Sequence, residues 1–419
     1  MTAAPIRSTP IVMVTNAVAP DQLGGLERYV RELSAALVRR GHPVSVVAKR
    51  VSIDHPPEEV AADGVRIIRH AVPAKSDPAF AVKYPLAVGT AVDRALPTIG
   101  RDAVLHAHFV TSALAPMLRR QPYLYTFHAP VHRELLDERQ GSYLLPRPLQ
   151  PLAVRGLRAA ERAVLGRASG LVVLSEFSRR EIARLHPAAA RRAGLIRGGL
   201  DVDRFTPASE VTPPVAATPG DPLLVTARRL TPRTGVLELV AAMPAIVDRH
   251  PSARLVVLGE GAARPEIETM VSNLALANSV ELRGWVDDHE LASWYRRADL
   301  AVTPTQRLEG FGLATAEALS CGTPVLVTPV GANPEVVDGL GSDYLAAGTT
   351  PADLAGAANR ALDARLDSRP PTESVRAVVA PRFGWEHVCE QYERQYLNLS
   401  GTSNAPSELH PTPNLEKAS

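Results

Sequence analysis

Several residue types are scarce in this chain, and each scarcity bears on the class of protein to which it can belong. Of its 46 basic residues, only Lys49, Lys75, Lys83 and Lys417 are lysines. Arginine forms bidentate contacts with phosphate, but abundant alanine, arginine and proline beside scarce lysine is also typical of a GC-rich genome, which is the simpler explanation. The formal net charge is +2, so the overall charge does not indicate a nucleic-acid partner.

Cysteine and long apolar runs are also scarce. Cys321 and Cys389 are the two cysteines, too few for a disulfide framework and typical of a cytoplasmic chain. No apolar run approaches the roughly 18–20 residues of a membrane span. The apolar stretch at 11–14 is short and lacks a basic lead, which predicts a first strand instead of a signal peptide. The arginines of 153–167 leave membrane association open without indicating it, and nothing indicates an oligomeric state.

The length of 419 residues exceeds one hydrophobic core and predicts two domains of roughly 200 residues each. In the first half, period-2 and period-3.6 patterns predict strands at 11–16, 43–48, 65–69, 103–106, 123–127 and 171–174, and helices at 26–40, 153–168 and 178–185. Residues 206–221 are rich in proline and threonine, which predicts a linker.

The same alternation then restarts. It predicts strands at 223–226, 253–258, 280–282, 299–303 and 323–328, and helices at 236–249, 264–277, 290–297, 315–320 and 385–398. Alternating strands and helices indicate an α/β protein whose parallel sheets are covered on both faces.

The segment Leu308–Pro324, with the sequence LEGFGLATAEALSCGTP, is the most informative in the chain. Glu309 and Glu317 are eight residues apart, and Gly310 and Gly312 leave bare backbone where the chain enters a helix. A helix N-terminus binds phosphate, and a carboxylate accepts hydrogen bonds from sugar or ribose hydroxyls. The pattern predicts a sugar-nucleotide site.

Two further groups of residues predict contacts with an anion. Gly24 and Gly25 precede a helix, where bare amides can meet a phosphate, although an ordinary loop is equally consistent. They do not form the dinucleotide fingerprint G-x-G-x-x-G. Arg228 and Arg229 follow a strand, with Arg233 close behind, and arginine forks can hold a departing diphosphate. A solvated basic loop is the alternative.

Several residues at strand ends are further candidates. His128 ends a strand at the edge where ligands of parallel sheets gather, and it can bond a hydroxyl or move a proton. A purely structural histidine is the alternative. Gly259, Trp285 and Val286 follow two other strands and are candidates for contact with the ligand, Trp285 and Val286 with a base, although Trp285 could instead be a core residue.

Two patterns resemble metal ligands, and neither is expected to bind a metal. His106 and His108 project to one side of an extended chain, but no carboxylate or cysteine at ligand spacing accompanies them. Asp201 and Asp203 form a D-x-D string, for which a turn or helix cap is the more ordinary role. We therefore expect no metal and no resident cofactor.

These segments together resemble the retaining glycosyltransferases of family four, which have the GT-B fold. The signature-like segment is LEGFGLATAEALSCGTPVLVTPVGANPEVV, and the likeness continues through GGLERYVRELSAALVRRGHPVSVVA, LYTFHAP, VVLSEFSR, IRGGLDVDRF, ARRLTPRTGV, RLVVLGEG and LRGWVDDHELASWYRRADL. The resemblance implies two Rossmann-like domains facing across a cleft. Residues 1–205 would bind the acceptor, and residues 206–384 the nucleotide sugar. Residues 385–398 would return onto the first domain, and residues 400–419 are expected to be a disordered tail.

The resemblance also implies roles for the signature residues. Glu309 would contact the donor sugar, and Glu317 would bind the ribose hydroxyls. Phe311, Gly312 and Leu313 would offer backbone groups to the sugar and the diphosphate.

Residues outside the signature complete the implied site. Arg229 would hold the diphosphate, and Gly24 and Gly25 would meet it from the opposite domain. His128 matches the family histidine that faces the donor sugar beside the acceptor. His128, Glu309 and Arg229 are the expected catalytic residues.

One departure from the family pattern concerns the diphosphate. The family usually has an arginine and a lysine in GRL…KG, whereas RRLTPRTG places Thr234 at the lysine position and Arg228 at the glycine. A shift of one residue in the loop would exchange Arg228 and Arg229. Because a missing cation would weaken stabilisation of the leaving group, we expect Arg228 or Arg233 to restore the charge.

The sequence therefore predicts a retaining glycosyltransferase that moves a sugar from a UDP- or GDP-sugar to a small-molecule, glycan or lipid acceptor. Natural-product or cell-envelope biosynthesis would be its setting. The alternatives are a nucleotide-sugar epimerase and a non-catalytic sugar-nucleotide-binding protein of the same fold. An NAD-dependent oxidoreductase is disfavoured because the glycine fingerprint is missing.

Overall fold

The computed structural model describes residues 8–22, 24–73, 77, 79–100, 102–133, 150–207, 221–368 and 370–400. Most of the predicted linker and nearly all of the predicted tail lie outside these residues. Two separate sheets form the frame of the described chain.

The first sheet has eight strands in the order β3-β4-β2-β1-β5-β6-β7-β8. In chain order they are β1 (Ile11–Val14), β2 (Val44–Lys49), β3 (Glu58–Val60), β4 (Arg66–His70), β5 (Val104–Ala107), β6 (Tyr123–Phe127), β7 (Gly170–Val173) and β8 (Gly194–Leu195). All neighbours are parallel except β3, which pairs antiparallel with β4. The helices of this half are α1 (Gly25–Arg39), α2 (Phe80–Ile99), α3 (Val110–Leu118), α4 (Gln150–Arg167), α5 (Glu176–Leu185) and α6 (Pro187–Arg192).

The second sheet has five parallel strands in the order β11-β10-β9-β12-β13. They are β9 (Leu223–Ala227), β10 (Arg254–Leu258), β11 (Val280–Gly284), β12 (Leu300–Thr303) and β13 (Val325–Val327). The helices that follow are α7 (Val236–Arg249), α8 (Arg264–Asn273), α9 (Asp288–Arg297), α10 (Leu313–Ser320), α11 (Asn333–Val336), α12 (Pro351–Ser368), α13 (Thr372–Ala377), α14 (Ala380–Phe383) and α15 (Trp385–Leu399).

The central strands read as continuous apolar runs because helices cover both faces of each sheet. Every residue of β1 is buried, and so are the first four residues of β9. One apolar cluster lies on the outer side of each sheet. A third cluster includes residues of both halves and of α15, so the two sheets share a continuous core.

The strand order reverses beside β1 in the first sheet and beside β9 in the second. Ligands of open parallel sheets bind beyond the carboxyl ends of strands at such reversals. The loop that carries Gly24 follows β1, and Arg228 follows β9 directly. In each half, the topology thus places candidate residues at the carboxyl end of a strand where the strand order reverses.

The last helix, α15, packs against α1 and the first sheet. The hydroxyls of Tyr29 and Tyr392 are 2.8 Å apart, and the Tyr396 hydroxyl lies 2.9 Å from Nδ1 of His106. Arg40 donates two hydrogen bonds to Glu393 at 2.6 and 2.9 Å. Helix α15 is therefore an integral part of the first half.

The two sheets confirm the predicted α/β class, and several element bounds are corrected. The helix predicted at 264–277 ends at Asn273, because Ala275 adopts φ 54°, outside the helical region. The pattern gave no signal for α2, whose Pro85 and Pro97 resemble helix breakers. The edge strand β3 was also missed, since its polar residues lack the alternation of a half-buried strand.

Candidate active site

The loop after β12 positions Glu309 at the start of α10. Gly312 takes the left-handed conformation, φ 84° and ψ 45°, which suits glycine, and no side chain caps the helix. Its N–H donates to Oε1 of Glu309 at 3.1 Å. The first turn of α10 therefore presents backbone N–H groups at a helix N-terminus, as an anion site requires.

The second oxygen of Glu309 is held by an arginine from β9's loop. Nη2 of Arg228 donates to Oε2 at 2.7 Å, and the Thr305 hydroxyl donates to the same oxygen at 3.2 Å. Burial opposes ionisation, but the charge and hydrogen bond of Arg228 outweigh it and hold the pKa of Glu309 below its ordinary value. Glu309 is thus an ionised carboxylate fixed at both oxygens.

The three arginines predicted for the diphosphate occupy different places. Arg228 lies on Glu309, whereas the guanidinium of Arg229 points to Gly24, 3.3 Å from where a Cβ on that glycine would lie. Arg233 donates to the carbonyl of Leu308 at 3.2 Å and so borders the Glu309 loop. Arg228 and Arg233, more than Arg229, lie beside Glu309.

Thr234, at the lysine position of the family pattern, is turned inward. Its hydroxyl donates to the carbonyls of Arg229 and Thr231, both at 2.7 Å, and the residue is 2% exposed. The threonine closes the turn that carries the arginines and adds no charge.

Glu317 lies one helical turn into α10 and meets a cation from the first half. Oε1 of Glu317 is 2.9 Å from Nη1 of Arg28, without the alignment of a hydrogen bond. Burial raises the pKa of Glu317 to about 7, against the opposing charge of Arg28. Arg28 also pairs with Glu32 at 2.9 Å and approaches Asp288 to 3.4 Å. The sequence reasoning missed Arg28, although its place three residues after Gly25 puts it on the helix face above that glycine.

Backbone contacts bring the two halves together beside Glu309. The carbonyl of Gly310 accepts hydrogen bonds from the hydroxyls of Ser175 at 2.7 Å and Ser178 at 3.2 Å. A Cβ on Gly310 would lie 2.4 Å from the carbonyl oxygen of His128, so this contact requires glycine. The carboxylate of Glu335 accepts from the backbone N–H groups at the start of α5, at 2.7 and 2.8 Å.

A cavity of about 1110 Å³ lies between the halves. It is lined by most of the predicted site residues, namely Gly24, Gly25, Arg228, Arg229, Arg233, Gly259, Trp285, Val286, Glu309, Leu313 and Glu317. Trp285 is 63% exposed, so it is not a core residue. Phe311 is buried instead, with its ring 5.4 Å from that of Phe383.

The remaining predicted residues lie on the first half. His128 follows β6, and Nε2 of its ring is 3.2 Å from Nδ1 of His108. Burial lowers the pKa of His128 to about 3, which keeps the ring neutral. Asp201 accepts from the N–H groups of Asp203 and Arg204 at 3.2 and 3.0 Å, the turn expected for the D-x-D string.

The described residues contain neither a cluster of metal ligands nor a membrane-spanning helix. Within them, no group of three or more histidine, cysteine, aspartate or glutamate side chains is arranged to hold a metal ion. None of the helices in the described part of the chain is long and apolar enough to span a membrane.

The fold is of the class with two parallel-sheet α/β domains and a cavity between them, and a family model matches each domain. Residues 210–375 match the model of the glycosyl transferases group 1, and residues 23–204 match the model of Glycosyltransferase Family 4. The D-inositol 3-phosphate glycosyltransferase of Xylanimonas cellulosilytica is 31% identical over 87% of this chain and 89% of its own length. The chain belongs to glycosyltransferase family 4, the group 1 glycosyltransferases, and is an enzyme of glycosyl transfer.

Other relatives show how widely the family varies. The glycogen synthase of Mycobacterium tuberculosis is 28% identical over 96% of this chain and 97% of its own length. The solved sucrose-phosphate synthase of Thermosynechococcus elongatus has a TM-score of 0.74 at 22% identity, covering 94% of this chain and all of that one. The GT-B prediction is confirmed by this similarity of fold. The names of the two enzymes differ in the product made, so they do not define the acceptor of this chain.

Proposed function

We propose that this protein transfers a sugar from a nucleoside-diphosphate sugar to an acceptor hydroxyl and retains the anomeric configuration. One observation carries the proposal: the carboxylate of Glu309, whose side chain is 14% exposed and is fixed by Arg228, adjoins the uncapped start of α10 in the inter-domain cavity. A carboxylate for sugar hydroxyls and a helix N-terminus for phosphate stand next to each other there, as a sugar diphosphate requires.

The remaining cavity residues take roles along the donor. Glu317, one turn further along α10, would accept hydrogen bonds from the ribose hydroxyls. Gly259, Trp285 and Val286 line the same cavity and would contact the nucleotide beyond the ribose. Gly24 and Gly25 would approach the diphosphate from the first half.

The chemical step places negative charge on the departing diphosphate. The bond between the anomeric carbon and the phosphate oxygen breaks, the acceptor oxygen bonds to that carbon, and the acceptor's proton passes to an oxygen of the departing diphosphate. Arg228, Arg233 and the start of α10 supply positive potential for the diphosphate. We therefore propose turnover without a metal, and the rate should persist after treatment with EDTA.

The acceptor would bind on the first half, beside His128. The relatives named for inositol phosphate and for glycogen both use hydroxyl-bearing acceptors, which supports a polyol or glycan acceptor here. We propose the cytoplasm as the site of the reaction, in line with the few and buried cysteines.

The test combines a thermal-shift screen with product analysis. A nucleotide sugar that binds the folded protein should raise its melting temperature, and UDP-, GDP-, dTDP- and ADP-sugars cover the bases. With the donor found, proton NMR of the product should show the donor's anomeric configuration, and an inverted product would contradict the retaining assignment. Isomerised sugar without acceptor would establish an epimerase, and binding without turnover a non-catalytic protein.

A further inference from the structure

The imidazole of His128 has one hydrogen-bond partner among the described residues, the imidazole of His108. Nε2 of His128 and Nδ1 of His108 are 3.2 Å apart. His108 is 1% exposed, and its other nitrogen, Nε2, is buried without a partner. No role in the reaction described above requires His108, so the contact needs its own explanation.

The surroundings hold His108 in this position. The ring of His106 packs against it at an interplanar angle of 41°, with centroids 3.9 Å apart. His106 uses its own nitrogens elsewhere, on the hydroxyls of Tyr396 at 2.9 Å and Thr126 at 2.8 Å. It therefore does not compete for the nitrogens of His108.

The ring of Tyr29 fixes His128 from a second side. It meets the ring of His128 edge-on, with centroids 5.0 Å apart. The hydroxyl of Tyr29 is tied in turn to Tyr392 at 2.8 Å. The orientation of His128 is thus determined by the packing of α1 and α15 as well as by His108.

The two histidines share one proton in their mutual hydrogen bond. Burial lowers the pKa of both rings, that of His128 to about 3, so both are neutral near pH 7. If His128 donated, Nε2 of His108 would be a buried N–H without a partner. If His108 donates from Nδ1, its Nε2 is unprotonated and carries a buried lone pair without a partner. Orphaned buried N–H groups are rarer in proteins than under-satisfied acceptors, so donation from His108 is favoured.

We propose that His108 is a positioning residue: its Nδ1–H donates to Nε2 of His128 and thereby keeps the proton of His128 on Nδ1. His128 would then meet the substrate as a neutral hydrogen-bond donor to a hydroxyl oxygen, not as a base. The inference about the substrate rests on the proposed function, which puts the acceptor beside His128. The close packing of its carbonyl against Gly310, next to Glu309, supports that location.

The tautomer can be measured without any substrate. Protein labelled with ¹⁵N-histidine should show, in long-range proton–nitrogen spectra, both His108 and His128 protonated on Nδ1. The loss of signals in His128→Gln and His108→Asn assigns them. A His128 ring protonated on Nε2 in the wild-type protein would overturn the proposal, whether or not the protein proves to be a transferase.

Substitutions at His108 then test the effect on catalysis. Asparagine can place an amide N–H near the former Nδ1, whereas leucine has nearly the same shape and no donor. We expect His108→Leu to lose the Nδ1-only tautomer of His128 and to lower kcat by about 10- to 100-fold with little change in the donor KM. His108→Asn should keep both within about threefold of wild type.

Tyr396→Phe is the structural control. It removes the hydroxyl from His106 in the same network but leaves the contact between His108 and His128 intact. It should lower the melting temperature without changing the tautomer of His128. If His108→Leu matched wild type in kcat, or if Tyr396→Phe changed the tautomer as much as His108→Leu, the positioning role would be refuted.

Discussion

Arg28 of the first half lies 2.9 Å from the carboxylate of Glu317 in the second half. Glu317 is the residue proposed to bind the ribose, and its side chain is 4% exposed. A cation from the opposite domain therefore directly faces the subsite proposed for the nucleotide. Because burial raises the pKa of Glu317 to about 7 in spite of Arg28, this carboxyl is poised between its two protonation states near neutral pH.

The protonation of Glu317 predicts how donor binding depends on pH. A carboxylate accepts hydrogen bonds from both ribose hydroxyls more strongly than the neutral acid does. Because the pKa is about 7, the ionised fraction rises as pH increases from 6 to 8, and the donor KM should fall by up to about 10-fold. The diphosphate diester of a sugar nucleotide does not titrate in this range. Steady-state kinetics from pH 6 to pH 8 should show this fall in the donor KM, and Glu317→Gln should abolish the pH dependence.

Removing Arg28 should move the pH-dependent fall in the donor KM to higher pH. The positive charge of Arg28 favours the ionised form of Glu317, so Arg28→Met leaves a buried carboxyl without its nearest cation and raises its pKa further. The midpoint of the KM–pH curve should rise accordingly. Arg31→Met, which removes a neighbouring arginine of α1 that pairs with Asp63, is the matched control and should leave the midpoint in place. Equal midpoints in wild type and Arg28→Met would refute the role of Arg28.

The charge missing at Thr234 should be supplied by the arginines near Glu309. Arg228→Met and Arg233→Met should each lower kcat/KM by about 10- to 100-fold, because each removes positive charge from beside the leaving group. Arg249→Met, which removes an exposed arginine paired with Asp363, should have no comparable effect. Full activity of both site variants would show that neither arginine restores the charge.

Substitution of Gly24 and of Gly25 by alanine should affect the stability of the protein differently. A Cβ on Gly24 would lie 2.2 Å from Oε2 of Glu27, so Gly24→Ala requires the Glu27 side chain to move and should lower the melting temperature. A Cβ on Gly25 meets nothing within 4 Å, so Gly25→Ala should leave the unliganded protein as stable as wild type.

Measurements of donor binding distinguish the two explanations for Gly25, a contact with the diphosphate or an ordinary loop glycine. If the diphosphate approaches the backbone there, Gly25→Ala should raise the donor KM by about 10-fold while its melting temperature is unchanged. A wild-type KM would mean that no ligand comes close to this glycine.

The sequence predicted those structural features that are formed by residues close together in one segment of the chain. Gly312 and the two acids of the signature lie within one loop and one helix, so their spacing predicted a helix N-terminus beside two carboxylates, although the helix begins at Leu313 and not at Thr315. The parallel sheets were predictable for the same reason, because fully buried strands such as β1 are continuous apolar runs.

Features that depend on contacts between distant segments could not be predicted in the same way. Arg228 lies on Glu309 and Arg229 beside Gly24, and these positions depend on contacts of their loop with other segments, such as Gly259, whose Cβ would lie 2.1 Å from the carbonyl oxygen of Arg228. The contact of Arg28 with Glu317 joins residues on two different domains, and no spacing along the chain encodes it.

The central claim is that the start of α10 and the two acids flanking it bind a sugar nucleotide. A crystal structure of the protein with its best-binding nucleoside diphosphate tests this most directly. We predict the diphosphate against the backbone N–H groups of the first turn of α10, beginning at Leu313, and the ribose against Glu317. A nucleotide bound elsewhere, with this cavity occupied only by solvent, would contradict the assignment.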